Sequence, residues 1–475
     1  MALAEPSSPQ SQASEQAVAQ AIEELAQKYG DRVTVSDDVR QLHGRDESYH
    51  PSIAPDGVFF ATSTEEVSEA VKICDRLGVS IVPFGTGTSL EGGVAALGGG
   101  LCIDVSKMDR VLRVAPEDLD CTVEAGVRRK ALDAHLRDSG LFFPIDPGAD
   151  ASIGGMAATN ASGTNAVRYG TMRESVLGLT VVMADGSIVR TGGRSRKSAA
   201  GYDLTRLIVG SEGTLGIITE VTLRLHGIPE AISAATCAFP SISAAVDCVI
   251  ETIQTGVPVA RMELLDAQQM AACIAYSKLD QEAAPTLFFE FHGTQASVDE
   301  QAEQAGEIAS SHGGSDFRWA KHVEDRNQLW QARHNAYYAA MALRPGSRGM
   351  ATDVCVPISR LADCIEQTIA DNKQTDLLAP IVGHVGDGNF HVTYLLDPEN
   401  DEEIARAGAA HRRMVHRAIE MGGTCTGEHG VGYGKIDFLE VEHASAMASM
   451  RAIKQALDPK GILNPGKVLR QEGLS

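Results

Sequence analysis

The sequence lacks the marks of several large protein classes. No run of about 18 apolar residues occurs in its 475 residues, which argues against a transmembrane helix. The nine cysteines (Cys74, Cys102, Cys121, Cys237, Cys248, Cys273, Cys355, Cys364 and Cys425) form no C-x-x-C, so they read as free thiols in a reducing compartment with no iron–sulfur cluster. Positive charge is scarce. With 41 Lys and Arg against 63 Asp and Glu, the net charge of −22 disfavours nucleic acid and a polybasic membrane patch. No G-K-[ST] is present, which excludes a P-loop nucleotide site. The first 14 residues contain no Lys or Arg and read as a disordered tail, not a targeting peptide, so a cytoplasmic location is expected. No fixed-period repeat is visible.

Glycine, by contrast, is plentiful: 47 residues, clustered in a few loops, which suggests backbone-mediated ligand contacts. Residues 14–29 carry a helical apolar stripe that Gly30 stops. "VFFAT" (58–62) reads as a strand, Ser63 or Thr64 as the cap of a helix ending at Gly78, and "VSIVPF" (79–84) as the next strand, a βαβ unit. Strands follow at 101–106 and 121–127, then a hairpin around Asp185 and Gly186 and a strong strand at 217–225. The punctuation of "HGIPEA" (226–231) marks a boundary. Beyond it, "TLFFEFHG" reads as a strand, 321–343 as helical, and the end of the chain as glycine-rich loops with a helix near 441–457.

Three glycine loops stand out. "PFGTGTSLEGGV" (83–94) fails the dinucleotide fingerprint, because Leu90 occupies the third glycine position and the chain runs on into a strand. It reads either as a surface turn or as an anion-binding concavity, with Thr86, Thr88 and Ser89 adding hydroxyl donors. In "PIDPGADASIGGMAATNASGTNAVRYGTMRE" (144–174) the small residues demand close approach of a flat ring system or of another backbone. The third loop is "GSEGTLGIITE" (210–220).

Together these loops resemble the FAD-binding domain of vanillyl-alcohol oxidase type flavoproteins. The resemblance runs through "TGEHGVGYGK" (426–435) and "LDPKGILNPGKVL" (457–469), covering roughly residues 35–470. Within that family, "LWQARHNAYYAA", "ATDVCVPISRL", "IVGHVGDGNFH" and "TCTGEHGVGYGK" are most similar to FAD-dependent D-lactate dehydrogenases that feed cytochrome-linked acceptors. The resemblance implies an α+β fold: a two-part FAD-binding domain, not a Rossmann domain, plus an α/β cap with an antiparallel sheet. It implies a tail at 1–14, an FAD domain at 15–228, a substrate or cap domain at 229–410, and a C-terminal segment at 411–475 that returns to the FAD domain. The implied cofactor-binding residues are Pro83, Gly85, Thr86, Gly87, Thr88, Ser89, Gly92, Gly93, Pro147, Gly148, Ser152, Gly154, Gly155, Ala158, Gly163, Gly213, Ile218 and Asn464. Some relatives attach FAD through a His or Cys of the first loop; "GTGTSLEGG" has neither, so FAD is expected to be non-covalent.

"IVGHVGDGNFHVTY" reads as a hairpin closed by Asp387 and Gly388 as a two-residue type I′ loop. That register sets His384 opposite His391 and places both, with Asn389 and Thr393, on one face; Val385, Phe390, Val392 and Tyr394 take the other. Two converging imidazoles suit a divalent metal or a satisfied structural pair. The family pattern adds Glu428 as third ligand, a His₂Glu set that suits zinc, manganese or iron alike. His429 is the candidate base. Arg333, on a predicted helix, is the candidate carboxylate partner, and the matching arginine holds substrate in relatives. Trp330 and Tyr337 read as core or pocket wall. The implied reaction is metal-assisted, FAD-dependent oxidation of a small D-2-hydroxy acid, D-lactate first, His429 and Arg333 binding it. The segment "GMATDVCVP" lacks the lysine that D-2-hydroxyglutarate-oxidising relatives use; a glycolate oxidase flavin subunit is the other alternative. With no heme or cluster motif and no NAD fingerprint, the electron acceptor is external: a quinone, a cytochrome or an electron-transfer flavoprotein. Peripheral membrane contact and a homodimer stay open.

Overall fold

The computed structural model describes residues 9–320 and 322–471, with the backbone alone for residues 9–14. The first helix runs Pro9–Tyr29, beginning before the expected Ser14, and Gly30 ends it at a φ of 61°. Ser63 caps the helix Thr64–Leu77 by accepting from the Glu66 N–H, and Gly78 closes it in the left-handed region. The flanking strands Gly57–Phe60 and Ile81–Phe84 are parallel, but Leu101–Asp104 lies between them and pairs with both. The crossover therefore skips one place in the sheet. An antiparallel sheet of five strands follows, ordered Val111–Ala115, Asp120–Glu124, Ile217–Arg224, Val176–Val182 and Ile188–Gly192. One apolar core gathers buried residues from Ala21 to Leu225 and also takes in Ile462 and Leu463. The chain end is stitched there by backbone bonds from Ile81 to Ile462 and from Asn464 to Ile81.

From Ala231 onward the chain builds an antiparallel sheet around Val259–Leu265, Ile381–His384 and Asn389–Leu396. Its two faces differ in chemistry because successive side chains alternate. Met262, Leu264, Phe289, Phe291, Phe390, Val392 and Tyr394 point into a second core, covered by the helices Ile242–Gln254, Gln295–Ser311, Ile358–Asn372 and Asp401–Glu420. The opposite face carries Arg261, Glu263, Glu290, His292, His384, Asn389 and His391. Residues of the first body bond to it: Asn165 and Asp146 accept from Arg261, and Tyr169 and His292 pair at 2.9 Å. The expected helix 321–343 is two helices, Val323–His334 and Ala336–Ala342.

The hairpin differs from expectation in register. His384 pairs with Asn389, and Val382 with His391, so His384 and His391 are diagonal neighbours. The shift is even, which keeps both imidazoles on the predicted face. The loop is residues 385–388, closed by Asp387 N–H to His384 O and Gly388 N–H to Val385 O. A type I′ turn needs positive φ at both central residues, yet only Gly388 has it, at 80°. Tertiary contact decides this: Val385 is fully buried in the second core, and Gly388 O accepts from Val356 N–H. A Cβ on Gly388 would meet Val356 O at 2.0 Å, whereas Gly422, with φ of 81°, faces open space. Gly388→Ala should therefore cost about 2–4 kcal/mol, and Gly422→Ala only the ~1 kcal/mol of left-handed strain. Thermal melting of the two variants checks this; equal shifts would remove the steric argument. No helix among the described residues is long and apolar enough to cross a membrane.

Candidate active site

The polar face becomes a site through buried carboxylates. Glu263 lies across the sheet from His384, and its two oxygens accept from Nδ1 at 2.7 and 2.9 Å. Thr352 O accepts from His391 Nδ1 at 2.9 Å. A carbonyl cannot donate, so Nδ1 of His391 carries a proton and points it at Thr352. The two Nε2 atoms converge on Glu428, whose Oε1 is 3.5 Å from His384 and 3.2 Å from His391. The ligand-type atoms of His384, His391 and Glu428 lie within 4.8 Å of one another. Each imidazole thus has its far nitrogen fixed and its near one presented, the usual arrangement behind metal-binding histidines. Burial alone would raise the Glu428 carboxyl; His384 and His391 overcome that and hold it well below the carboxylate range. Burial would lower His384, but Glu263 and Glu428 push it well above the imidazole range. The buried Glu263 and the partly buried Glu428 thus call for positive charge at this point, from protonated imidazole or from a cation.

Arg333 sits on Glu263, with Nε at 3.1 Å and Nη2 at 2.5 Å from Oε2, so the same carboxylate orients both His384 and the arginine. His429 stacks on His391, ring centroids 5.1 Å apart and planes at 11°. Trp330 is buried in core, with the Arg261 guanidinium over its ring at 4.9 Å, whereas Tyr337 is half exposed. Asp353 builds the Glu428 loop. Fully buried, it accepts from Asn389 Nδ2 and Thr426 Oγ1, both at 2.7 Å, and from the Glu428 and His429 N–H groups at 3.0 Å.

The three glycine loops meet beside this site. Ser152 N–H donates to Thr86 Oγ1, and Gly85 lies against Ser152. Glu212 N–H donates to Ala158 O, Gly213 packs on Pro83, and Asn464 Nδ2 donates to Gly93 O and Glu212 O. Of the three hydroxyls in the first loop, Thr86 and Thr88 pair at 3.1 Å, while Ser89 donates to Asp46. In the second loop two adjacent glycines have different surroundings. A Cβ on Gly154 would strike Ala125 at 2.5 Å, so backbone packing explains it; Gly155 is exposed. Gly163 abuts Asp146, Gly87 and Gly92 take positive φ, Gly148 faces open space, and Ile218 is buried in its strand. Pro147 precedes Gly148 in the same loop. Ser152 Oγ, Ser211 Oγ and Asn464 Oδ1 are buried polar atoms without a protein partner, which fits a polar cofactor lying along the loops.

A model of FAD-linked oxidases, C-terminal domain, matches residues 228–468, and one of an FAD binding domain matches residues 55–192. The chain belongs to the FAD-linked oxidase family. Over 441 residues it is 55% identical to a probable mitochondrial D-lactate dehydrogenase of Danio rerio, covering 92% of this chain and 89% of that one. It is 48% identical to the mitochondrial D-lactate dehydrogenase [cytochrome] of Arabidopsis thaliana, over 92% of this chain and 78% of the relative. A solved p-cresol methylhydroxylase with substrate bound superposes with a TM-score of 0.77 at 18% identity, over 96% of this chain and 98% of that one. The fold is thus the expected α+β, vanillyl-alcohol oxidase type, and the oxidase is an FAD-dependent oxidoreductase.

Sequence reasoning missed the oxidase's supporting charges: Glu91, Glu212, Glu263, Asp353 and Lys435. Glu91, Glu212 and Asp353 are lone charges in glycine-rich or apolar stretches, "SLEGG", "GSEGT" and "ATDVC", and that contrast was the available signal. Glu212, at a φ of 52°, accepts from the N–H groups of Val431 and Gly432 at 2.7 and 2.8 Å, holding the segment after His429 to the third glycine loop. Burial pushes its carboxyl up to about 7. Since the folded value exceeds the unfolded one of about 4.3, folding takes up a proton, and this contribution is lost as pH rises through 7. Between pH 5.5 and 8 the loss should be about 2 kcal/mol. Glu212→Gln should flatten that part of the pH dependence of thermal unfolding; an unchanged pH slope would refute the assignment.

Proposed function

We propose that this FAD-linked oxidase dehydrogenates a D-2-hydroxy acid, D-lactate foremost, to the 2-oxo acid and passes the electrons to an external quinone, cytochrome or electron-transfer flavoprotein. The convergence of His384 Nε2, His391 Nε2 and the Glu428 carboxylate, beside His429 and Arg333, carries this reading. The D-lactate dehydrogenase names of the two relatives support the substrate. His384, His391 and Glu428 would hold one zinc, manganese or iron ion, which would lower the pKa of an α-hydroxyl brought to it. FAD, held by the three loops and Asn464, would accept the α-hydrogen with its electron pair. The remaining work belongs to side chains. Arg333 receives the substrate carboxylate, its guanidinium already oriented by Glu263. His429 takes the hydroxyl proton.

In this division of labour, residues 15–228 hold FAD, 229–410 carry the hairpin and substrate contacts, and 411–475 return Glu428, His429 and Asn464 to the flavin side. Ile462 and Leu463 lie in the first core, whereas Met414, Val415, Ala418, Cys425 and Phe438 pack into the second, and the boundary at 410 falls inside the helix Asp401–Glu420. Nine free thiols suit a reducing compartment, taken here as the cytoplasm; both relatives are named mitochondrial, so fractionation decides.

Anaerobic mixing of the yellow protein with D-lactate, L-lactate, glycolate or D-2-hydroxyglutarate should bleach the flavin fastest with D-lactate, and a chelator should abolish bleaching. His384→Ala should lower kcat more than a hundredfold while FAD content stays at the wild-type level. Full turnover after chelation would sink the metal reading; preference for another acid would sink the substrate. Acid precipitation should release all flavin to the supernatant, because the first loop offers no His or Cys for a covalent bond; a yellow pellet would contradict non-covalent binding.

A further inference from the structure

His429 presents an unresolved polar atom. Its ring plane is fixed by stacking on His391, and its backbone N–H is fixed by Asp353. Yet Nδ1 is buried with no hydrogen-bond partner. The carboxylate facing it is Glu91, whose Oε1 lies 3.7 Å away. Glu91 is 3% exposed and belongs to the first flavin loop, not to the sheet that carries the candidate metal ligands. It is held hard. Its Oε1 meets Lys435 Nζ at 3.0 Å, its Oε2 lies 3.5 Å from His50 Nε2, and its backbone carbonyl accepts from the N–H groups of Tyr433 and Gly434. Lys435 is itself fully buried and donates to Asp353 O at 3.2 Å. One lysine thus bridges the carboxylate facing the His429 ring and the aspartate that fixes the His429 backbone.

We propose that Glu91 is the positioning residue for His429: its carboxylate accepts the Nδ1 proton and fixes the tautomer whose Nε2 is free to take the substrate's proton. The assignment rests on the reading of His429 as the base. The gap from 3.7 Å to a hydrogen bond is under an ångström, and catalytic hydrogen bonds are often long before substrate binds and tighten in its complex. Lys435 keeps the Glu91 carboxylate paired in a dry environment, so burial does not neutralise it. During proton transfer the substrate O–H bond breaks, its proton bonds to Nε2, and Nδ1–H stays on the ring, hydrogen-bonded to Glu91, which takes no proton. Because Glu91 lies on the flavin loop, cofactor cradle and base are set by one stretch of backbone. A purely structural Glu91 would hold the loop without any energetic link to the imidazole.

A double-mutant cycle on the FAD- and metal-loaded enzyme separates these roles. Glu91→Gln should lower kcat for D-lactate at least thirtyfold, leave KM within threefold, and leave FAD and metal content at wild-type levels. In a His429→Gln background the same substitution should change kcat less than twofold. A kcat for Glu91→Gln within threefold of wild type, a loss carried by KM, or an equal loss in both backgrounds would overturn the proposal. Wild-type kcat in His429→Gln alone would instead bring down the base assignment, and the proposal with it. Should Glu91→Gln fail to fold, Glu91→Gln with Lys435→Met removes both charges of the buried pair; it should show the same kcat loss, and wild-type kcat there would overturn the idea.

Discussion

Everything in the site hangs on the burial of Asp353 with its hydrogen-bonding capacity used up. A carboxylate taken fully out of water is tolerated only when paired and hydrogen-bonded. Asp353 meets that condition with Asn389 from the hairpin, Thr426 and two backbone N–H groups from the Glu428 loop, and Lys435 close by. Burial would raise its carboxyl, and His429, Lys435 and His391 hold it well below the ordinary range instead. The same bonds that satisfy the charge bring the loop carrying Glu428 and His429 against the histidine hairpin. Site assembly and charge compensation are one event.

Around that centre the charges alternate through three dimensions. Glu263 lies between His384 and Arg333, Glu428 between two imidazoles, and Glu91 between Lys435 and the imidazoles of His429 and His50. The charges come from three separate parts of the fold. The central sheet contributes Glu263, His384 and His391, the C-terminal loops Glu428 and Lys435, and the first glycine loop Glu91. An acidic chain thereby concentrates carboxylates beside the imidazoles of His384, His391 and His429 and the guanidinium of Arg333. The apolar face of the same sheet, packed beneath four helices, makes this charge density affordable by fixing the strands.

How much of this was legible depended on the range of the physics involved. Ser63 as a cap, Gly78 as a helix stop and the strands flanking them follow from neighbours a few residues away, and they occur as read. The failed dinucleotide fingerprint was equally local. Glu263, Asp353 and Glu91 act on residues far along the chain, and nothing near them in sequence names their partners. Glu428 was legible only through resemblance, since its approach to the histidines is set by Asp353 across the fold.

The histidine hairpin shows the division most clearly. Its sequence alone determined that His384 and His391 share a face with Asn389, because strand side chains alternate with period two whatever the turn. Its register was decided by tertiary structure: Val385 gains a place in the core, and Gly388 lies against Val356, so the chain forms a longer loop than Asp387 and Gly388 alone would favour. Parity is a property of the backbone; register is a competition between turn preference and side-chain burial, and here burial won.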